Sequence, residues 1–270
     1  MISETKPGVC AVSYLNTVPL VWGMLHGEQR DLFDLTFCLP SECARRLGAR
    51  EAGIGIVPVI EMQRRNLDQV PGTGIACRGE VRTILLVSKK PFGEIRTLAT
   101  DAGSRTSVEL ARIILARRYG SSPILVSMAP RLESMLEQAD AALIIGDAAL
   151  LLEPSTLPYA TLDLGVEWLE LTGLPMVFAV WAGPRPLDHD VFRAEHFLAS
   201  YRFGAAHLDD IAEAEYARRG VSRQMVREYL TRNIVFELGE AEYRGMSRYL
   251  KLAAALPPQS IFQPASEVTA

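Results

Sequence analysis

Histidine, cysteine and unbroken apolar runs are all scarce in this chain of 270 residues, and each scarcity removes a class of protein. The four cysteines, Cys10, Cys38, Cys43 and Cys77, form no C-x-x-C and keep no spacing to a histidine pair. They read as reduced, mostly buried thiols, and no metal site is expected. No apolar run reaches the length of a membrane span. The opening Met1-Ile-Ser-Glu-Thr-Lys-Pro-Gly8 enters an apolar strand without a signal-peptide core, so a cytoplasmic protein is expected. A formal charge of −4 leaves no basic excess for nucleic acid or an anionic membrane surface. Neither G-x-G-x-x-G nor G-x-x-x-x-G-K-[ST] occurs, which disfavours dinucleotide and P-loop chemistry.

What is present is a strand–helix alternation that runs twice. With 49% hydrophobic and 22% charged residues, the chain can bury a substantial core in one or two domains. Gly8 to Ser13 is a continuous apolar run suited to a strand buried on both faces. It delivers Ser13, Tyr14, Asn16 and Thr17 into a loop before Pro19, at the strand end where open α/β sheets bind ligands. Strands at 35–39 and 52–57, a looser one at 75–77 and a long one at 81–88 complete the first series. The second has strands at 97–100, 124–128, 141–145 and 159–164, with helices between them, and a strand at 176–181 ends it. After Asp190 the pattern is mainly helical, and the tail from Pro257 is polar. The strands 81–88 and 176–181 are candidates for two crossings between lobes, with a binding cleft between the lobes.

The second series opens on Thr97-Leu-Ala-Thr-Asp-Ala-Gly-Ser-Arg-Thr-Ser-Val-Glu-Leu110, read as strand, turn and a hydroxyl-rich helix start. Ser104, Thr106 and Ser107 either cap that helix or, with its free N–H groups, receive a carboxylate or phosphate.

Six motifs in order carry a family resemblance. They are Ser13-Tyr-Leu-Asn-Thr-Val-Pro-Leu20, Ile54-Gly-Ile-Val-Pro-Val-Ile-Glu61 and Cys77-Arg-Gly-Glu-Val-Arg-Thr-Ile-Leu-Leu86. Ser104-Arg-Thr-Ser107, Ile145-Gly-Asp-Ala-Ala-Leu150 and Thr172-Gly-Leu-Pro-Met-Val-Phe-Ala-Val-Trp181 follow. Over about Val9 to Ala254 the chain resembles the chorismate dehydratases of the futalosine route to menaquinone. The resemblance implies an α/β fold of the type II periplasmic-binding-protein kind, with two lobes and two hinge crossings. Residues 1–88 with 182–270 would form the first lobe, completed by the C-terminal helices, and 89–181 the second. It also implies removal of water from chorismate to give 3-[(1-carboxyvinyl)oxy]benzoate, a hydro-lyase reaction with no cofactor. The expected partner is this small-molecule substrate alone, on a monomer or homodimer.

By that resemblance Ser13, Asn16, Thr83, Ser104, Thr106, Ser107 and Gly146-Asp147 face substrate, and position 83 holds Thr where many relatives have Ser. Asn16 offers a donor and an acceptor that can orient a hydroxyl or a carboxylate. Asp147 stands where it could act on substrate or simply cap a helix. Glu61 and Glu80 follow motifs but could equally be paired or solvated. His26, His189, His196 and His207 fall in no cleft motif. With no base well placed, a substrate carboxylate is expected to take the proton while the protein supplies position and electrostatics. A small-acid binding protein of the same fold is one alternative. The sister enzyme 1,4-dihydroxy-6-naphthoate synthase is another, but it would carry a histidine where this chain has Gly146 after Ile145.

Overall fold

The computed structural model describes residues 6–101, 103, 105–258 and 261–262. Expectations for the N-terminal lead, Ser104 and most of the polar tail lie outside the described residues. The chain begins with β1 (Gly8–Val12), α1 (Val18–His26), β2 (Asp34–Cys38), α2 (Pro40–Gly48), β3 (Ile54–Pro58), α3 (Val59–Arg64) and β4 (Asp68–Cys77). It continues with β5 (Ile84–Ser88), β6 (Thr97–Thr100), α4 (Arg105–Ile114), β7 (Ile124–Ser127), α5 (Leu132–Gln138) and β8 (Ala141–Ile145). Next come α6 (Asp147–Leu150), β9 (Ala160–Asp163), α7 (Leu164–Thr172) and β10 (Met176–Gly183). The helices α8 (Ala194–Ala206), α9 (Leu208–Arg219) and α10 (Arg223–Glu228) lead to β11 (Val235–Glu237), α11 (Glu240–Ala254) and β12 (Ile261–Phe262). None of the described helices is long and apolar enough to cross a membrane.

Two compact units result, Met1–Arg78 with Leu174–Leu250, and Gly79–Gly173 with Lys251–Ala270. The sheet of the first has the order β11-β4-β10-β3-β1-β2. Its centre is apolar on both faces, as Val9, Cys10 and Ala11 of β1 and Ile54 and Ile56 of β3 are all buried. β1 runs parallel to β2 and β3, whereas β10 is antiparallel to β3 and β4. Helix α1 is tied to α8 through Ser200, whose hydroxyl donates to the Leu20 carbonyl at 2.8 Å and accepts from the Met24 N–H at 3.1 Å.

The second unit's sheet has the order β12-β7-β6-β8-β5-β9. β6 is parallel to β7 and β8, and β5 is antiparallel to β8 and β9. One core cluster joins Leu85 and Val87 of β5 to Leu132, Met135 and Leu136 of α5 and to Ala142 and Ile144 of β8. Helix α4 buries Leu110, Ala111, Ile113 and Ile114, and passes through a π-helical turn at Leu115–Tyr119 to Gly120, whose φ of 68° ends it.

The unit boundaries differ from the expected 1–88, 89–181 and 182–270. β5 pairs on both edges within the second sheet, and β10 sits between β3 and β4 in the first. Each strand therefore belongs to the unit that the chain has just entered, and the crossings precede them. The C-terminal helices lie in the first unit up to Leu250, while β12 pairs with β7 in the second. A second difference is β4, ten residues long where only its last three were read as strand. Pro71, Gly72 and Gly74 obscure it in the sequence, and register shifts in its pairing with β10 accommodate the irregular stretch.

Asp140, just before β8, ties three strands of the second sheet together. Its carboxylate meets Lys90 at 2.8 Å and accepts from the N–H groups of Arg96 at 2.9 Å and Thr97 at 3.1 Å. Burial alone would raise its pKa, but the Lys90 ammonium and the two backbone donors outweigh it and hold the carboxyl at about 2. A carboxyl depressed in the folded state contributes stability above its unfolded pKa, about 3.9, that is lost as the pH falls through about 2. Urea midpoints measured against pH are expected to fall more steeply for the wild type than for Asp140→Asn across that window. At neutral pH Asp140→Asn is expected to be the less stable protein.

Candidate functional site

In the first unit the site residues come from the loop after β1. Leu15–Thr17 forms one 3-10 turn in which Leu15 and Thr17 are fully buried, so the intervening Asn16 is anchored on both sides. The Asn16 amide donates from Nδ2 to the Tyr229 hydroxyl at 3.0 Å. Its Oδ1 is buried and has no hydrogen-bond partner. An acceptor left so costs about 1–3 kcal/mol, a cost that a ligand donor would relieve. Ser13 is exposed, and its carbonyl accepts from Arg219 Nη1 at 2.8 Å. Arg219 in turn pairs through Nε with the buried Glu215 at 2.9 Å.

Tyr229, Arg219 and Glu215 thus hold the loop from the C-terminal helices, and none of the three was expected from the sequence. The only visible trace is Glu215 followed three and four residues later by Arg218 and Arg219, a spacing that ordinarily marks an exposed helix face.

In the second unit the strand pairing gathers the remaining expected residues at one end of the sheet. Ile84 lies opposite Ile145, so Thr83 and Gly146 are neighbours, and the Gly146 N–H donates to the Thr83 carbonyl at 2.9 Å. Gly146 has φ 62° and ψ −144°, a conformation essentially reserved for glycine, and Asp147 follows as the first residue of α6. β6 runs parallel to β8, so its carboxyl end reaches the same edge and leads into α4, where Thr106 and Ser107 are buried in the first turn. Ser104, the first hydroxyl of that group, lies outside the described residues.

Asp163 fixes this end of the sheet. Its carboxylate accepts from the N–H groups of Val81 at 3.1 Å, Arg82 at 2.7 Å, Gly165 at 2.9 Å and Val166 at 3.2 Å. Burial pushes its pKa above the ordinary carboxylate range, against the pull of those four donors. Arg82 adopts φ 65°, and its guanidinium donates to the carbonyls of Ala149, at 2.8 Å, and Leu152. The segment before Thr83 is thereby bonded to the end of α6, the helix that begins at Asp147.

The residues left open in the sequence take structural places. Glu61 is buried and pairs with Arg65 at 2.8 Å, as a salt-bridged carboxylate would. His26 packs on Trp22, His196 on Phe33 and His207 on Phe203. The donor set best suited to a metal is one the spacing had not revealed: the Sγ atoms of Cys10, Cys38 and Cys43 lie within 4.8 Å of one another. A hydrogen bond from Cys43 lowers the Cys10 thiol to about 7, while burial raises Cys38 to about 11 and Cys43, bonded to Cys10 and buried, is raised further.

A profile of the menaquinone biosynthesis family matches residues 7–255. The chain belongs to that family. A curated relative, the chorismate dehydratase of Thermus thermophilus, is 29% identical over 267 residues, spanning 93% of this chain and 96% of its own. Among solved structures, protein AF1704 of Archaeoglobus fulgidus superposes with a TM-score of 0.74 at 18% identity, covering 94% of this chain and 98% of that one. The periplasmic aliphatic sulphonate binding protein SsuA of Escherichia coli superposes with a TM-score of 0.63 at 14% identity, covering 93% and 91%. This member of the menaquinone biosynthesis family therefore has the periplasmic-binding-protein-like fold that its motifs implied.

The Asp163 carboxylate generates a stability prediction. Asp163→Ala strips four backbone donors of their acceptor and removes the cap of α7, and is expected to cost about 2–4 kcal/mol in urea denaturation. Asp163→Asn, which keeps one acceptor oxygen, is expected to fall between that variant and the wild type.

Proposed function

We propose that this protein is a chorismate dehydratase, eliminating water from chorismate to give 3-[(1-carboxyvinyl)oxy]benzoate in the futalosine route to menaquinone. The observation that carries this reading is the likeness along 93% of the chain to a chorismate dehydratase, within a family defined by menaquinone biosynthesis. The chemistry asks little of a base. A C–H bond and a C–OH bond on neighbouring ring carbons break, a C=C bond forms, and the ring becomes aromatic as water departs. Aromatisation drives the reaction, so the catalyst's task is to hold a dianion and orient its leaving groups.

The residues support that division of labour. The hydroxyls of Thr106 and Ser107, in the first turn of α4, suit a carboxylate. Asn16 offers its unpartnered Oδ1 to the ring hydroxyl while Tyr229 keeps the amide from turning. Ser13, Thr83 and Gly146 complete the binding set, and Asp147 is the one carboxylate in it. The proton goes to a carboxylate of the substrate itself, while His26, His196 and His207 pack against aromatic rings. The sister synthase is disfavoured by Gly146, whose φ of 62° suits glycine and not the histidine that enzyme would carry there.

Incubation with chorismate is expected to yield a product lighter by one water, with benzoate absorbance. Unaltered chorismate would reject the reading in favour of a small-acid binding protein of the same fold. Asn16→Ala is expected to lose about 10²-fold or more in kcat, and near-normal kinetics would remove Asn16 from the site. Asp147→Asn is expected to keep measurable turnover. A loss of roughly 10⁴-fold or more in a folded Asp147→Asn would make Asp147 the base.

A further inference from the structure

Three of the four cysteines converge in a place that the proposed chemistry does not use. The strand register brings two of them together. Cys10 of β1 lies opposite Thr36 of β2, and Cys38, two residues on, points to the same face of the sheet. Helix α2, which carries Cys43, packs on β1 and β3 and brings in the third. Gly55, the register partner of Cys10 in β3, leaves the room: a Cβ there would stand 2.6 Å from the Cys43 sulfur. That glycine belongs to the Ile54–Glu61 motif, and its lack of a side chain is what admits the thiol. Around the three sulfurs are Leu47, Ala52, Val57 and Ala182, with Met62 packed against them. Arg46 acts on both Cys10 and Cys38 and is paired with Glu42 at 2.9 Å.

We infer that Cys10, Cys38 and Cys43 form a three-thiolate site for a thiophilic divalent d¹⁰ cation of the zinc class. Metal–sulfur bonds of about 2.3 Å put the sulfurs of such a site about 4 Å apart, within the 4.8 Å that already encloses them. Charge selects the valence. Three thiolates and a divalent ion sum to one negative charge, whereas a monovalent ion would leave two in an apolar pocket. Binding is an exchange without redox change: each thiol gives its proton to solvent as its sulfur takes the metal. The bound ion would fasten β1, β2 and α2 together.

Anaerobic titration of the reduced protein with cadmium chloride tests this. The expected result is a thiolate-to-cadmium charge-transfer band that saturates at one equivalent, release of between two and three protons at neutral pH, because Cys10 is already partly ionised there, and a raised Tm. Cys38→Ser, the mildest replacement because Cys38 is the least buried of the three, is expected to weaken binding roughly a hundredfold or more and to abolish the Tm shift. Cys77→Ser, which alters the buried cysteine outside the cluster, is expected to bind as the wild type does. Absence of a saturable band, or a band and Tm shift that persist unchanged in Cys38→Ser, would overturn the assignment.

Discussion

The second unit depends on one half-buried carboxylate. Asp163 accepts from backbone N–H groups on two separate segments, the start of α7 and the Val81–Arg82 stretch that precedes β5. A carboxylate withdrawn from water is costly unless its lone pairs are filled, and four N–H donors fill them. What it secures is a direction of approach. With Val81 and Arg82 pinned, the chain enters β5 in register with β8, and Thr83 arrives beside Gly146. The left-handed φ of Arg82 is sustained by the same bond and turns its guanidinium toward the carbonyls at the end of α6. Thr83, the strained Gly146 and the short helix beginning at Asp147 are therefore bonded into one piece.

The first unit solves the same problem by long-range tethers. Its loop after β1 is short, with backbone turn bonds from the Thr17 N–H to the Tyr14 carbonyl and from the Val18 N–H to the Leu15 carbonyl. Residues more than two hundred positions later in the chain supply the rest, Arg219 to the Ser13 carbonyl and Tyr229 to the Asn16 amide. Arg219 is itself nearly enclosed and paired with Glu215, and a buried ion pair contributes geometric specificity more surely than net stability. The C-terminal helices are thus more than a cover for the first sheet, since they set the position of the residue on which the proposed chemistry turns.

Much of this could be read from the chain, and the failures have physical causes. Strands β1 and β8 were legible because a run buried on both faces is apolar without interruption, and α4 because its apolar positions repeat at helical spacing. Thr83 and Gly146 could be named from motifs, but their contact is a product of antiparallel register, which no local pattern encodes. β4 was shortened because Pro71 and two glycines are the residues that argue against a strand, and they are tolerated where pairing is irregular. Arg219 and Glu215 look like an exposed helical pair until the loop of Ser13 is folded over them. The cysteines mislead for a related reason. Metal-ligand spacing is recognisable when ligands share a turn, but Cys10, Cys38 and Cys43 sit on two strands and a helix.

The chemistry of an anion site bears on how the proposed reaction would be catalysed. A site that holds an anion needs preorganised hydroxyls and main-chain donors, and each unit places such groups at strand ends. For most eliminations that equipment would be insufficient, because a weakly acidic C–H demands a strong, well-aimed base. On the proposed reading the substrate supplies both what is missing: a carboxylate to take the proton, and an aromatic product whose stability lowers the barrier to losing hydroxide. What the protein adds on that reading is the fixing of one amide. Asn16, clamped at Nδ2 by Tyr229 and left with an unsatisfied Oδ1, is held ready for a donor in one orientation, and such an arrangement adds no reorganisation cost when the reaction occurs.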